Sequence, residues 1–215
     1  MFPPFADFAA LLGIDLAVCA GCLYLLSRGG PARPWAKWLV ALLFTALWVR
    51  VGASSLPLVA YLRGISSDLS ITLQVLACLS LRRRLFGYSA LDPRELTAVL
   101  ALVAVAGLFL YPLALGWGDW DAYRLGWGTP DMFAALLLLS LVCWMCGFRL
   151  VPLVIAAALL AWTARWLESG NLWDYLIDPW LAIAAIAHSL KAVFLKFTRR
   201  RESTDPNRAR RSLTD

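Results

Sequence analysis

Charged side chains are scarce in this chain, and the residues that are missing exclude several classes of protein. Asp, Glu, Lys and Arg make up 16% of the 215 residues, compared with roughly 25% in soluble domains. The one histidine, His188, excludes a haem held by two histidines of this chain and leaves a single candidate for a Ser-His-Asp site. The motifs GxSxG, HExxH, GxxxxGK(S/T) and GxGxxG are also absent, so the common catalytic signatures of soluble enzymes are missing.

Long apolar runs take up most of the chain, in which hydrophobic residues reach 61%. A helix needs about 20 apolar residues to cross the hydrocarbon core of a membrane, and about 17 suffice. Backbone polar groups in lipid must bond within their own segment, so such runs form helices. We therefore predict an all-α bundle of seven transmembrane helices, one unit over residues 1–198, at 5–26, 38–62, 65–81, 95–116, 131–147, 148–167 and 172–197.

The basic residues predict the orientation of these helices. Sixteen of the 20 Lys and Arg residues fall in the loops 27–37, 82–94 and 147–149, or in the C-terminal end from Lys191 onward. Loops rich in Lys and Arg stay in the cytoplasm, so we predict the N-terminus outside and the C-terminus inside. Arg greatly outnumbers Lys, as is typical of a GC-rich bacterial genome, and we expect the bacterial cytoplasmic (inner) membrane.

The C-terminal segment 199–215 is rich in Arg and poor in apolar residues, which predicts a disordered basic cytoplasmic tail. We expect it to determine orientation, and its charges would also hold it near anionic lipids. Nucleic-acid binding is the rival interpretation, but the tail lacks the aromatic residues that stack on bases. Elsewhere, Asp92-Pro93 and Asp178-Pro179 are each typical of a helix cap followed by a first-turn proline. Neither aspartate is therefore expected to be catalytic.

Three polar residues fall near the middle of neighbouring predicted helices: Asp15, Arg50 and Gln74. At about 1.5 Å per residue, all three lie at nearly one depth, where an unpaired charge costs about 3 kcal/mol. We therefore expect Arg50 to pair with Asp15, and Gln74 to add a hydrogen bond. Two interpretations stay open. The pair either fixes the helix register, or it is a functional site such as a proton relay, an ion relay or a substrate-binding group.

His188 completes this intramembrane polar cluster, with Lys191 three positions later on the same helix face. It is interpreted as a helix–helix hydrogen bond or as a proton relay. Cysteines near the predicted cytoplasmic helix ends raise a metal or redox hypothesis, because two pairs one turn apart could supply four thiolates. Cysteine is also an ordinary small apolar residue in buried positions. We therefore predict no metal and no cofactor from the five thiols, Cys19, Cys22, Cys78, Cys143 and Cys146.

Aromatic and acidic residues are concentrated in the segments predicted to face outward. The aromatic rings fit an interfacial belt at the level of the lipid headgroups. The alternative is a cup for a polar headgroup or a sugar, with rings that stack and carboxylates that accept hydrogen bonds. Asp119 and Asp121 would then be the candidate acid/base pair. The candidate cup residues are Asp119, Asp121, Arg124, Arg165, Glu168 and Asp174.

Three classes of function remain open. Short loops, missing catalytic signatures and small-residue helix surfaces such as 156–158 and 182–187 favour a non-catalytic subunit or assembly partner of a membrane complex, or a homo-oligomer. A small transporter or permease component would use Asp15 and Arg50. A membrane enzyme would act on a lipid-linked substrate at the outer face. The sequence favours the first class and does not indicate a reaction.

Overall fold

Helices make up most of the protein in the computed structural model, which describes residues 4–27, 31–52, 55–87 and 92–203. A 3₁₀ helix spans Ala122–Trp127, and strands β1 (Arg50–Val51) and β2 (Leu56–Pro57) pair antiparallel. The last helix continues to Ser203, and the rest of the predicted tail, 204–215, lies outside the described residues. The α-helices are α1 (Pro4–Ser27), α2 (Pro34–Leu47), α3 (Leu58–Ser66), α4 (Ile71–Phe86), α5 (Pro93–Ala114), α6 (Pro130–Met145), α7 (Leu150–Thr163), α8 (Leu172–Leu176) and α9 (Pro179–Ser203).

Three helical segments are long and apolar enough to cross a membrane, by length and composition: Asp7–Ser27, Pro93–Ala114 and Pro179–Lys196. The shorter helices α2, α6 and α7 are also apolar. Large apolar side chains such as Trp38 and Leu138 are exposed on their outward faces, as expected where a helix contacts lipid instead of water. The fold is a helical bundle consistent with a membrane protein.

The predicted span 38–62 is wrong as a single helix, because the β1–β2 hairpin separates α2 from α3. Gly52 has a φ of +75° and Ser55 a φ of +50°, a left-handed conformation that turns the backbone and cannot continue a right-handed helix. Pro57 stands directly before α3, where its missing N–H removes no helical hydrogen bond. The broken run therefore contributes two short helices, α2 and α3.

Buried side chains form two main apolar clusters joined by α4. One cluster lies among α1, α2 and α4 and includes Leu23 and Val40. The larger one involves α5, α7, α8 and α9 and includes Val154 and Leu181. Helix α4 packs against α1 and also against α7, so both clusters belong to one bundle.

Connections between helices gather at two opposite ends of α1. At the C-terminal end, the Ala32 N–H donates to the Arg84 carbonyl at 3.0 Å, and the Arg84 guanidinium donates to the hydroxyl of Ser27. At the N-terminal end, Asp7 pairs with Arg63 of α3 at 3.0 Å. The links before α2 and after α4 therefore lie at one end of the bundle, and α3 lies at the other.

The helix starts agree with the capping prediction. Asp92 accepts a hydrogen bond from the Arg94 N–H at 2.9 Å, and Asp178 accepts one from the Leu181 N–H at 2.8 Å. The second oxygen of Asp178 accepts the backbone N–H and the hydroxyl of Ser70 at 3.0 and 2.5 Å. One buried carboxylate therefore fixes the starts of both α4 and α9.

Candidate functional site

Asp15 lies in the middle of α1 and is fully buried. Its carboxylate accepts a hydrogen bond from the indole N–H of Trp48 at 2.7 Å and one from the thiol of Cys19 at 3.4 Å. Trp48 comes within reach because it follows directly on α2, which packs against α1. Each carboxylate oxygen thus has a donor, as a polar group in apolar surroundings requires.

The predicted pair between Asp15 and Arg50 is not formed. Arg50 lies in strand β1 and is exposed, whereas Asp15 is bonded to Trp48 and Cys19. The prediction assumed one helix through 38–62, which would have carried the guanidinium to the depth of Asp15. The hairpin instead brings it to the surface, which avoids the cost of removing a cation from water.

Gln74 packs between α1 and α4 and does not bond to Asp15. Its side-chain amide donates to the carbonyl of Leu69 at 2.9 Å. A Cβ added at Gly13 would lie 2.4 Å from Cδ of Gln74, so the side-chain amide lies directly against this glycine of α1. The amide therefore fills the contact between α1 and α4.

His188, the fourth member of the predicted cluster, does not join the others. It is exposed on α9, which packs against α5, whereas α1 packs against α2, α3 and α4. The imidazole forms no hydrogen bond or ion pair with any described residue. The intramembrane cluster predicted from depth is thus dispersed over three parts of the bundle.

The five cysteines, all of them described, are free thiols that do not assemble into a metal site. Within the described ranges, no three His, Cys, Asp or Glu side chains come close enough to hold a metal ion. The two spaced pairs lie on α1 and at the end of α6, which belong to different apolar clusters. The five thiols also differ in their burial: Cys19 is buried, Cys22 and Cys143 are half-buried, and Cys78 and Cys146 are exposed.

Removal of the Asp15 carboxylate is expected to destabilise the bundle. In Asp15→Leu, the indole N–H of Trp48 loses its acceptor, at a cost of about 1–3 kcal/mol. Trp48→Phe should cost a similar amount, and the double variant should cost little more than either single change. Arg50→Gln should stay within about 0.5 kcal/mol of the parent. Thermal unfolding in detergent measures the stability of the parent and of these four variants. A loss of stability in Arg50→Gln equal to that in Asp15→Leu would contradict the pairing of Asp15 with Trp48.

The 3₁₀ helix and the segment 164–178 pack together at one end of the bundle, and we call them the outer cap. The indole N–H of Trp173 donates to the Ala122 carbonyl at 3.0 Å, and the amide of Asn171 donates to the Tyr123 carbonyl at 2.9 Å. The Tyr123 hydroxyl donates to Asp174 at 2.7 Å. Burial, and next this hydrogen bond, raise the pKa of Tyr123 to about 12, so the phenol keeps its proton at neutral pH.

Several aromatic side chains that the sequence assigned to an interfacial belt are instead buried in the outer cap. Trp173 and Tyr175 are buried, 9% and 1% exposed. The hydroxyl of Tyr175 accepts the N–H of Leu167 at 3.1 Å, whereas Trp117 and Trp127 remain exposed. Only some of these aromatic residues are therefore free to contact headgroups.

The six residues of the predicted cup are divided among different surroundings. Asp174 bonds within the outer cap, and Glu168 pairs with Arg63. Only Asp119 and Asp121 line a common surface cavity, of about 500 Å³, beside the end of α5. The two remaining residues, exposed and outside the lining of that cavity, are Arg124 and Arg165.

A charged cluster that the sequence did not indicate lies where α1, α3 and the outer cap meet. Arg63 binds Asp68 at 2.7 Å, Asp7 at 3.0 Å and Glu168 at 2.6 Å. Burial lowers the pKa of Arg63, but the hydrogen bonds that it donates to Asp68 and Asp7, together with the negative charges of Asp68 and Glu168, outweigh this effect and raise that pKa above its usual value. Asp68 also accepts the N–H of Glu168 at 3.2 Å. The cluster therefore joins three separate parts of the chain.

Most titratable groups of the described residues either fix the fold or lie on the surface. Asp15, Asp178 and Arg63 link helices through hydrogen bonds or ion pairs. The single histidine activates no serine or cysteine, because it bonds to no described residue, so the arrangement of a nucleophile with a histidine base is missing there. A scan against protein-family models and searches of curated proteins and of solved structures find no match to the chain.

Proposed function

We propose that the protein is a multi-pass protein of the bacterial inner membrane and serves as a non-catalytic subunit or assembly partner of a membrane complex. Seven helices would cross the membrane, with the N-terminus outside and the C-terminus in the cytoplasm. Helix α3 and the outer cap would lie at the outer face. The crossing helices would be α1, α2, α4, α5, α6, α7 and α9.

Contacts at the helix ends support this topology. The link before α2 bonds to the end of α4. By sequence, Arg28 and Arg33 lie in that link, and Arg82, Arg83 and Arg84 lie near the end of α4. Arginines in such positions are typical of the cytoplasmic side. The Arg63 cluster and α3 lie at the opposite end of α1. Helices α2 and α7 have 14 residues each and reach about 21 Å, so a local thinning of the bilayer or flanking residues would complete their crossing.

The exposed imidazole of His188 is the observation that carries the proposal. His188 lies halfway along the apolar segment Pro179–Lys196, about 14 Å from its start, and has no partner among the described residues. A polar side chain at this depth is costly in lipid and usually faces a protein neighbour. Ala184 and Ala187 beside it are exposed, and small residues let a second helix approach closely. A helix of another membrane protein that carries a hydrogen-bonding side chain fits this surface.

The competing classes have less support. A permease component would use Asp15 with Arg50, but the two side chains are not paired and Asp15 is fully buried. An outer-face enzyme would need a base or nucleophile poised beside Asp119 or Asp121. In the described wall of their cavity, the tyrosine hydroxyl of Tyr123 is instead engaged with Asp174.

Photocrosslinking from α9 in native membranes tests the proposal. A photoreactive residue at Ala184, on the side of His188, is expected to give an adduct with one other membrane protein, identified by mass spectrometry. His188→Leu should lower its yield roughly three- to tenfold, because a hydrogen bond between membrane helices is lost. His188→Gln, which keeps a donor and an acceptor, should retain most of it.

The matched control places the photoreactive residue at Leu190, which is exposed on another side of α9, and should not give this adduct. An adduct between two copies of the chain would replace the proposed complex with a homo-oligomer. An adduct whose yield is the same in His188→Leu, or no adduct at all, would overturn the role assigned to this surface.

A further inference from the structure

A narrow apolar slot of about 380 Å³ lies between α5, α6 and α7. Helix α7 packs against both α5 and α6, which hardly touch each other. Val105, Phe109 and Ala135 line the slot and are exposed, so it opens sideways, where a bilayer would surround the bundle. Its volume falls in the range of roughly 300–1,000 Å³ typical of ligand pockets.

The slot runs along the helices. On α5 its lining extends from Val99 to Phe109, a rise of about 15 Å. Val151, near the start of α7, lines the inner part, and Trp173 and Ile177 of the outer region line the other end. A long apolar space that is parallel to membrane-spanning helices and open to the bilayer fits one extended acyl chain.

Of the described residues that line this apolar slot, one carries a hydroxyl group. Thr72, the second residue of α4, is 2% exposed, and its hydroxyl forms no hydrogen bond with any described residue. No buried side-chain oxygen of the described residues lacks a partner, so this hydroxyl is accessible from the slot. Thr72 lies two residues after Ser70, which bonds to Asp178 at the start of α9, and is therefore near the outer end of the slot. The ester carbonyl that joins an acyl chain to its headgroup would supply an acceptor for the hydroxyl of Thr72.

The slot meets the acidic cavity of Asp119 and Asp121 at its outer end. Phe109 in the slot and Trp120 in the cavity wall have ring centroids 5.6 Å apart. Leu113, one turn after Phe109 on the same face of α5, lines the cavity. The two spaces are therefore stacked along α5.

The negative charge of the cavity of Asp119 and Asp121 restricts which lipid headgroups can bind there. Asp119 and Asp121 are both exposed to the cavity, and no Lys, Arg or His is among its described lining residues. Carboxylates without a neighbouring cation attract an ammonium group, with which they form charge-assisted hydrogen bonds, and repel an anionic headgroup. A lipid with a primary amine matches this charge.

We propose that the protein binds an aminophospholipid at this site. One acyl chain fills the slot, an ester carbonyl accepts the hydroxyl of Thr72, and the ammonium group lies between Asp119 and Asp121. The site involves no residue of α9 beyond its start, so lipid binding and the association through His188 succeed or fail separately.

Native mass spectrometry of the detergent-purified protein, titrated with dioleoyl phosphatidylethanolamine or dioleoyl phosphatidylglycerol, tests the site. The ethanolamine lipid should bind about tenfold more tightly than the glycerol lipid. The double change Asp119→Asn and Asp121→Asn should remove this preference, because each asparagine keeps the size of the side chain and loses its charge. Thr72→Val, which has the same shape without the hydroxyl, should weaken both lipids severalfold.

Matched pairs of variants separate the slot from general effects. Ala135→Phe fills the slot and should abolish binding of both lipids, whereas Ala134→Phe, exposed on the same helix outside the slot, should bind them normally. Asp131→Asn, outside the cavity, is the control for charge. Equal affinity for the two lipids in the parent protein, or an unchanged preference in the double asparagine variant, would overturn the ammonium assignment. Undiminished lipid binding by Ala135→Phe would overturn the assignment of the acyl chain to the slot.

Discussion

Replacement of Arg63 by methionine is expected to lower the free energy of unfolding by about 3 kcal/mol. The guanidinium is 18% exposed and holds Asp7, Asp68 and Glu168. Removing one partner from a buried ion pair costs about 3–5 kcal/mol, and the lower value applies here because Asp7 and Glu168 are half exposed. Methionine fills similar space but donates no hydrogen bond, so the carboxylate of Asp68, which is 14% exposed, loses its cation and keeps only the N–H of Glu168.

Comparison of Arg63→Met with Arg124→Met, an exposed arginine of the outer cap, provides the control. Arg124→Met should stay within about 0.5 kcal/mol of the parent. Arg63→Lys should fall between the two, because lysine keeps the charge but lacks the planar fork that contacts three carboxylates. Unfolding in mixed detergent micelles gives the free energies. Equal stability of the two methionine variants would mean that the cluster does not hold the outer end of the bundle together.

Apolar runs predicted the helices well where one run contains one helix. The runs 95–116 and 131–147 correspond to Pro93–Ala114 and Pro130–Met145, and Asp92 and Thr129 cap the starts. The run 38–62 failed because the backbone conformation of a few residues breaks it, whereas its average composition stays apolar. A hydropathy pattern averages over such a turn and does not detect it.

Polar contacts could be predicted only where both partners are close in sequence. The caps formed by Asp92 and Asp178 follow from the prolines beside them. The partners of Arg63 lie as far as 105 residues away, and no periodicity relates them. For Asp15, equal depth suggested a cation, but the neutral indole N–H of Trp48 satisfies the carboxylate without burying a second charge.

Gly126→Ala is expected to lower the free energy of unfolding nearly as much as Arg63→Met, although it adds only one methyl group. A Cβ at Gly126 would lie 1.8 Å from Oδ1 of Asn171 and 2.7 Å from Cδ1 of Trp173. Asn171 cannot move aside, because it is fully buried, donates to the Tyr123 carbonyl at 2.9 Å and accepts the Trp173 N–H at 3.0 Å. The methyl must therefore open the outer cap, and overpacking together with lost hydrogen bonds should cost about 2–4 kcal/mol.

The control is Gly64→Ala in α3, where a Cβ meets nothing within 4 Å, and it should raise stability by about 0.5–1 kcal/mol. Hydrogen exchange locates the effect: in Gly126→Ala, the amides of 122–127 and 171–176 should exchange faster than those of α1. Asn171→Ala removes the atoms that the new methyl strikes, so adding Gly126→Ala to it should cost little more. Full additivity of Gly126→Ala and Asn171→Ala would contradict this packing of the outer cap, and so would a parental unfolding midpoint for Gly126→Ala alone. The same packing keeps Glu168 and Asp174 apart from the acidic cavity.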